Sequence, residues 1–398
     1  MNSTAPTALC TDAAVRVRAA DRTEISIGST SPFLRVVEPR GRIGPADTRR
    51  WFRRNADGLV ALLREHAAVL IRGFGIDSPR RFEQALAEVK PLHAMSTYLM
   101  LEPGRETLPG TRTVWCTNRN IRTGGGLALT GFHTENYYSP QVPSFVAFAC
   151  LSRPWLGGET AVVRMDRVFA QLDADLQERL RDGPFLASVI AVEEAARRQR
   201  LSPAVLRQRL DAWGLPRVER DGIDYLATFK PAVIEHPADG RPSLLANVSA
   251  EVPGLDAFIG RRLQPHFSRR RWAIHRKLWR SSRCRRALSW LTDPRGSLCR
   301  ARASVPPAAP ARGETSQPLA ARLARAFVHR IDVEQLAEAM MHHCVAVRWR
   351  RGDVLLFDNF RTTHAGMPGF GPRELAVQMY DPAIIRAHDT RVARVPPP

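Results

Sequence analysis

Two short stretches of this chain hold residues that could do chemistry together. In "GFHTENYYSP", residues 131–140, His133 and Glu135 are two positions apart. If the segment is an extended strand, alternation puts both side chains on one face, where an imidazole and a carboxylate can fill two positions around a single metal ion. The plainer alternative is a polar strand edge facing solvent, because an isolated H-x-E is a loose motif. His364 supplies a second imidazole in "RTTHAGM", directly after the apolar run "DVLLFDNF". Two imidazoles and one carboxylate form the facial set that holds non-haem Fe(II) while leaving positions for oxygen and a bidentate co-substrate. Nine residues on, Arg373 opens another strand-like run. Its guanidinium fork fixes a carboxylate in orientation as well as position, and its plainer alternative is a surface ion pair with Glu374. Other histidines compete poorly for the metal role. His342 and His343 are adjacent on an expected helix and point apart, and His236, in a turn between Glu235 and Pro237, reads as structural.

The elements that must position these residues are legible in outline. Amphipathic spacing predicts a helix through "WFRRNADGLVALLREH", followed by a buried strand at "AAVLIRGF". Ser78 and Pro79 mark the start of another helix. From "LALTGFHTENYYS" to "GGETAVVRM" the chain alternates short apolar, β-branched runs with Gly and Pro, which is strand and turn chemistry. "VFAQLDADLQERLRDGP" returns to helical periodicity. "YLATFKPAVIEHPADGRPSLLANVSAEV" reads as two strands about a turn at Asp239 and Gly240. A helix at "IDVEQLAEAMMHH" then precedes strands at "VAVRW", "DVLLFDN" and "ELAVQMY". The expected fold is mainly β with flanking helices (α+β), built on a double-stranded β-helix or jelly-roll core. Residues 1–30 are expected to form a flexible arm, 31–385 a single domain and 386–398 a tail.

Composition narrows the classes. The chain has 398 residues, 44% of them hydrophobic, enough for a substantial core. No run approaches the roughly 18 apolar residues that a membrane-spanning helix needs. The first residues lack the charged leader and apolar block of a secretory signal, which points to the cytoplasm. Cys10, Cys116, Cys150, Cys284, Cys299 and Cys344 form no C-x-x-C pair, so neither a disulfide scaffold nor a zinc knuckle is expected. The net charge of +20 is concentrated: Arg261 to Arg302 holds thirteen arginines and one lysine against the single acid Asp293. Trp272, Trp279 and Trp290 interleave with those arginines before the proline-rich "ASVPPAAPARGETSQP". This segment, about 261–320, reads as a basic helical insertion. It is either a solvated appendage or a dock for an anionic partner.

The combination "FHTENYY…PSFVAFACLSRP…GGET", then "PAVIEHPADGRPSLLANV", then "RGDVLLFDNFRTTHAGMPGFGPRELAVQM" resembles the taurine dioxygenase and clavaminate synthase superfamily of iron- and 2-oxoglutarate-dependent oxygenases. Within it the chain is most similar to the syringomycin-biosynthesis type of amino-acid hydroxylase. The resemblance covers residues 55–260 and 330–385. It implies His133, Glu135 and His364 as ligands of Fe(II), Arg373 as the partner of the far carboxylate of 2-oxoglutarate, and Thr160 of "GGET" as a hydroxyl sharing that carboxylate. O2 is the further co-substrate. In halogenating relatives a small residue replaces the carboxylate ligand, so Glu135 points to hydroxylation or a related oxidation. Asn136, Tyr137 and Tyr138 are substrate candidates because they flank the ligands.

The implied substrate is a small amino-acid-like metabolite of secondary metabolism, free or attached to a carrier protein. An acidic carrier would suit the basic insertion by charge complementarity. The rival reading is a nucleic-acid-binding protein that uses the insertion's arginines and tryptophans. No nucleic-acid module is recognisable and the metal and clamp residues are all present, so the oxygenase reading is preferred.

Overall fold

The computed structural model describes residues 12–28, 33–95, 107–117, 131–137, 141–181, 184–199, 201–212, 217–220, 222–245, 255–266, 330–367, 369–370, 373–385 and 392–394. Most of the basic segment (267–329), the glycine-rich stretch 118–130 and Tyr138 lie outside the described residues. In chain order the strands begin with β1 (Val15–Ala19), β2 (Ile25–Ile27), β3 (Leu34–Pro39), β4 (Ala68–Ile71), β5 (Trp115–Cys116) and β6 (Gln141–Ser152). Next come β7 (Leu156–Gly157), β8 (Thr160–Arg164), β9 (Pro184–Ala191), β10 (Arg217–Arg220), β11 (Ile223–Pro231), β12 (Val233–Glu235) and β13 (Pro242–Leu244). The last six are β14 (Cys344–Val347), β15 (Val354–Asp358), β16 (Thr362–Gly366), β17 (Gly369–Phe370), β18 (Glu374–Ile385) and β19 (Val392–Arg394).

Two sheets organise these strands. The larger runs β1-β3-β4-β15-β6-β18-β19, with β5 also on β18. Its β3 and β4 are parallel and its other pairs antiparallel. The smaller runs β16-β8-β14-β2 and is antiparallel throughout. Strand β6 shows why the sequence there is a continuous apolar run. Val146, Phe148 and Cys150 point into a core shared with Val162 of β8 and Val345 and Val347 of β14, so this face meets the smaller sheet. Phe145, Ala147 and Ala149 point the other way, onto Trp51, Leu59, Leu63 and Phe82. A strand covered on both faces has no polar side to show.

Helices complete the layers. Those at Pro45–Arg54, Ala56–His66 and Pro79–Leu86 cover the outer face of the larger sheet. Those at Met165–Gln171, Ala174–Arg181, Leu255–Leu263 and Arg330–His342 cover the outer face of the smaller one, against Ala161, Val163, Cys344 and Ala346. Ser78 caps its helix as expected, its Oγ accepting from Arg81 N at 3.3 Å ahead of Pro79. The segment expected as one helix is two, broken at Asn55, whose side chain donates to Trp51 O at 3.1 Å and competes with helix continuation. The second of these helices ends at Ala67 in the left-handed region, φ 62°. Arg164 donates to His66 O and Arg361 to Arg64 O, so two guanidinium groups satisfy its terminal carbonyls.

The ends of the chain differ from expectation. From Val15 onward the expected arm is strand: β1 pairs with β3 and β2 with β14. Val15 and Val17 alternate with Arg16 and Arg18, and Arg18 reaches Glu38 across the ladder at 3.0 Å and Glu24 at 2.8 Å. In the expected tail, β19 pairs with β18. Between β9 and β13 the chain adds a β10-β11-β9 sheet backed by helices Val192–Gln199 and Pro203–Ala212, with a small core of its own. Among the described residues no helix is long and apolar enough to cross a membrane.

Candidate metal centre and carboxylate clamp

The two histidines meet through their backbones. His133 N donates to His364 O at 3.1 Å and His364 N to His133 O at 3.0 Å, an isolated antiparallel bridge. Residues paired in this way carry their side chains on one side, and the imidazole centroids are 4.3 Å apart. Glu135 arrives differently from the sequence expectation. The segment is not a continuing strand: after Thr134 the chain turns over residues 135–137, with Asn136 at φ 57°. A polar side chain that bonds locally makes this left-handed position tolerable, and Asn136 Nδ2 donates to Gln141 O at 2.9 Å. The turn, not strand alternation, brings the carboxylate back beside the imidazoles.

One atom from each of His133, Glu135 and His364 lies within 4.8 Å of the others. Glu135 is 1% exposed and His364 4%. Nδ1 of His133 faces Gly131 O at 2.8 Å. A carbonyl only accepts, so Nδ1 carries the proton and Nε2 keeps its lone pair for a ligand. Nε2 of His364 is 3.3 Å from Glu135 Oε2. Phe148 and Phe357 pack their rings on His364, with centroids 5.1 and 5.2 Å away. A carboxylate this dry is costly to ionise unless a cation sits beside it, and two imidazoles aimed at the same point complete the donor set of a divalent transition metal. The donors present fit iron.

A second cluster lies along β8. His364 is paired with Val162, and Thr160 is two residues along β8 on the same face, a displacement of roughly 7 Å at about 3.3 Å per residue. Arg373 Nη2 donates to Thr160 Oγ1 at 2.9 Å, and Trp349 Nε1 donates to the same oxygen at 3.0 Å. Arg373 is buried, and Nε of its guanidinium has no partner among the described residues. Burial pulls its pKa down to about 10, with Cys150 and Glu159 opposing. Gly158, at φ 66°, closes over its stem: a Cβ there would lie 3.3 Å from Arg373 Cδ and 3.0 Å from Pro154. A bare backbone is needed for the chain to pass this close.

The structure thus brings together His133, Glu135 and His364, and separately Thr160 with Arg373. Tyr137 is directed elsewhere: it is fully buried and its hydroxyl donates to Pro231 O at 3.2 Å. Tyr138 lies outside the described residues. His236 is structural, with Nε2 2.9 Å from Asp358 Oδ2 in the interior. Two residues escaped the sequence. Asn359, fully buried, accepts from Glu135 N at 2.8 Å through Oδ1 and donates to Glu135 O at 3.0 Å and Pro143 O at 2.8 Å through Nδ2. Its only sequence signal is a polar residue at the end of "DVLLFDN". Trp349 carried no signal beyond closing a strand.

No curated protein gives a significant match to the chain. Among solved structures it is similar to PvcB from Pseudomonas aeruginosa, at 16% identity and TM-score 0.47, covering 96% of this chain and 94% of that one. Another structure of PvcB, described as an Fe, alpha-ketoglutarate dependent oxygenase from an isonitrile synthetic pathway, is similar at 15% identity, TM-score 0.47 and the same coverage. A taurine dioxygenase from Burkholderia xenovorans is similar at 13% identity and TM-score 0.46, covering 96% and 95% of the two chains. The family model for taurine catabolism dioxygenase TauD, TfdA family, matches residues 31–379, nearly the whole described chain. The chain therefore belongs to the TauD/TfdA family and is an iron- and 2-oxoglutarate-dependent dioxygenase.

Proposed function

We propose that the enzyme hydroxylates, or otherwise oxidises, an unactivated C–H bond of a small amino-acid-like metabolite, free or carrier-bound, in a cytoplasmic pathway of secondary metabolism. The observation that carries the assignment of roles is the convergence of three donor atoms within 4.8 Å, with a buried guanidinium and a hydroxyl two registers away along one sheet face. His133 through Nε2, Glu135 and His364 would hold Fe(II). Arg373 and Thr160 would hold the far carboxylate of 2-oxoglutarate. When bound, these groups supply oxidative decarboxylation to succinate and carbon dioxide and the power to remove hydrogen from the substrate. The protein's part is to orient the co-substrate, keep the His364 side dry with Phe148 and Phe357, and place one C–H bond. Glu135 fills the position that a halide would need, which supports hydroxylation over halogenation.

The two facing sheets support a double-stranded β-helix as the core of one oxygenase domain. The basic insertion is proposed to dock an acidic carrier. Replacing Arg283, Arg285 and Arg286 with glutamate is then expected to slow turnover of a carrier-bound amino acid and spare the free one. Tight binding of random RNA or DNA at physiological salt would instead reassign the insertion to nucleic acid. The test of the core proposal is succinate release with iron, ascorbate and 2-oxoglutarate over free and carrier-loaded amino acids. Glu135→Ala is expected to abolish release and Arg373→Ala to raise the 2-oxoglutarate requirement at least tenfold. Undiminished release by both would refute the assignment.

A further inference from the structure

We infer that Trp349 is a positioning residue for 2-oxoglutarate: its indole N–H commits the Thr160 hydroxyl to act as a donor. The inference rests on the proposed role of Arg373 and Thr160 and extends it to a residue that touches neither metal nor co-substrate. A hydroxyl has two lone pairs and one proton and normally chooses among roles. At Thr160 both lone pairs are taken, by Trp349 Nε1–H at 3.0 Å and Arg373 Nη2–H at 2.9 Å. Neither neighbour can accept a proton in return, because an indole and a guanidinium are donors only. The Thr160 O–H is therefore left to donate, beside an arginine whose Nε has no partner among the described residues. Donors alone, converging at a buried point, select an acceptor-only anionic group, and the far carboxylate of 2-oxoglutarate meets that requirement. Preorganising them in a dry interior spares the co-substrate the work of turning the hydroxyl.

Trp349 is itself held firmly. It is 6% exposed and packs in the core between the sheets. Its chain neighbours are fixed by a buried ion pair: Arg72 donates to Asp353 at 2.6 and 2.9 Å and to Arg348 O at 2.9 Å, and Asp353 Oδ2 accepts from Arg350 N at 2.7 Å. The pair joins the residue after β4 to the residue before β15, so the larger sheet sets where the indole lies.

The test measures binding, by calorimetry under nitrogen on the Mn(II)-loaded protein, of 2-oxoglutarate and of 2-oxopentanoate, which has the same chain length but no far carboxylate. Trp349→Phe is expected to weaken 2-oxoglutarate about five- to tenfold, the size of one lost hydrogen bond, and to leave 2-oxopentanoate within twofold. In a Thr160→Val background the same substitution should add nothing further. Equal weakening of both acids would mark a packing effect and overturn the inference, as would no weakening. Arg373→Ala separates the two levels. If it leaves 2-oxoglutarate binding unchanged, the clamp itself is wrong and the inference falls with it; if it weakens binding while Trp349→Phe does not, only the inference falls. Should Trp349→Phe not fold, Thr160→Val against Thr160→Ser decides. Selective loss of 2-oxoglutarate in the valine variant with recovery in serine supports a donor hydroxyl, and equal affinities overturn it.

Discussion

At the scale of residues, the candidate metal set was legible because its chemistry is written in residue types: two imidazoles and a carboxylate in recognisable contexts need no knowledge of contacts. What held them was not legible. Asn359 fixes the backbone of Glu135 through both of its peptide groups, from 224 positions away, and only folding makes that pair adjacent. His133 and Glu135 are neighbours through a bridge and a turn, not through strand alternation. Outer partners of this kind typically change metal affinity about 10- to 100-fold when removed. Asn359→Ala is therefore expected to weaken Mn(II) binding by about that factor, measured by titration calorimetry. Asn359→Asp keeps the acceptor for Glu135 N but loses both donors, and should fare no better. Wild-type affinity in both would show that the turn holds Glu135 without the amide.

At the scale of elements, helices and core strands followed from periodicity and apolar runs, while the short ones did not. β1 is brief and alternates with arginines, β2 is only three residues long, and their ladder partners are distant or across a loop, so neither strand is legible from the sequence. The turn between β15 and β16 carries Asn359 and leads into His364, and its support comes from the β12–β13 hairpin. His236 Nε2 meets Asp358 Oδ2 at 2.9 Å, while Asp358 Oδ1 accepts from Phe360 N at 3.0 Å and Arg361 N at 3.2 Å. His93 and Asp381 make a contact of the same 2.9 Å length, but His93 is 56% exposed. Equal distances do not mean equal worth: removing one partner of a buried pair costs roughly 1 to 3 kcal/mol because the other is left dry, whereas an exposed pair contributes under about 1 kcal/mol. His236→Ala should lower the thermal midpoint by several degrees and His93→Ala by less than about one. Similar shifts in the two variants would refute the difference in burial as the cause.

At the scale of the whole molecule, a net charge of +20 makes every further proton a burden on the folded state. Two histidines concentrate that burden. His343 is pulled down to about 4 by burial, then by His342 and Arg167, with Asp166 opposing. His66 is lowered by burial and by Arg35, with Glu65 opposing. Because these folded values lie below the ordinary 6.5, the unfolded chain takes up protons first as the medium acidifies. Their contribution is complete above pH 6.5 and is lost as pH falls below it, for His343 toward 4. Glu24 acts in a lower window. Burial is the largest influence and would raise it, but hydrogen bonds from Arg18, Thr23 and Asp21 N, with the Arg18 charge, together outweigh it and hold Glu24 well below the ordinary 4.5, so its stabilisation is lost only beneath that value. The thermal midpoint of the metal-free protein, measured with chelator present so that iron affinity does not enter, should therefore begin to fall near pH 6.5. His343→Gln should flatten the limb between 6.5 and 4.5 and leave the steeper acid loss below it intact. A midpoint constant across that interval, or one with the same slope in the variant, would place the acid sensitivity elsewhere.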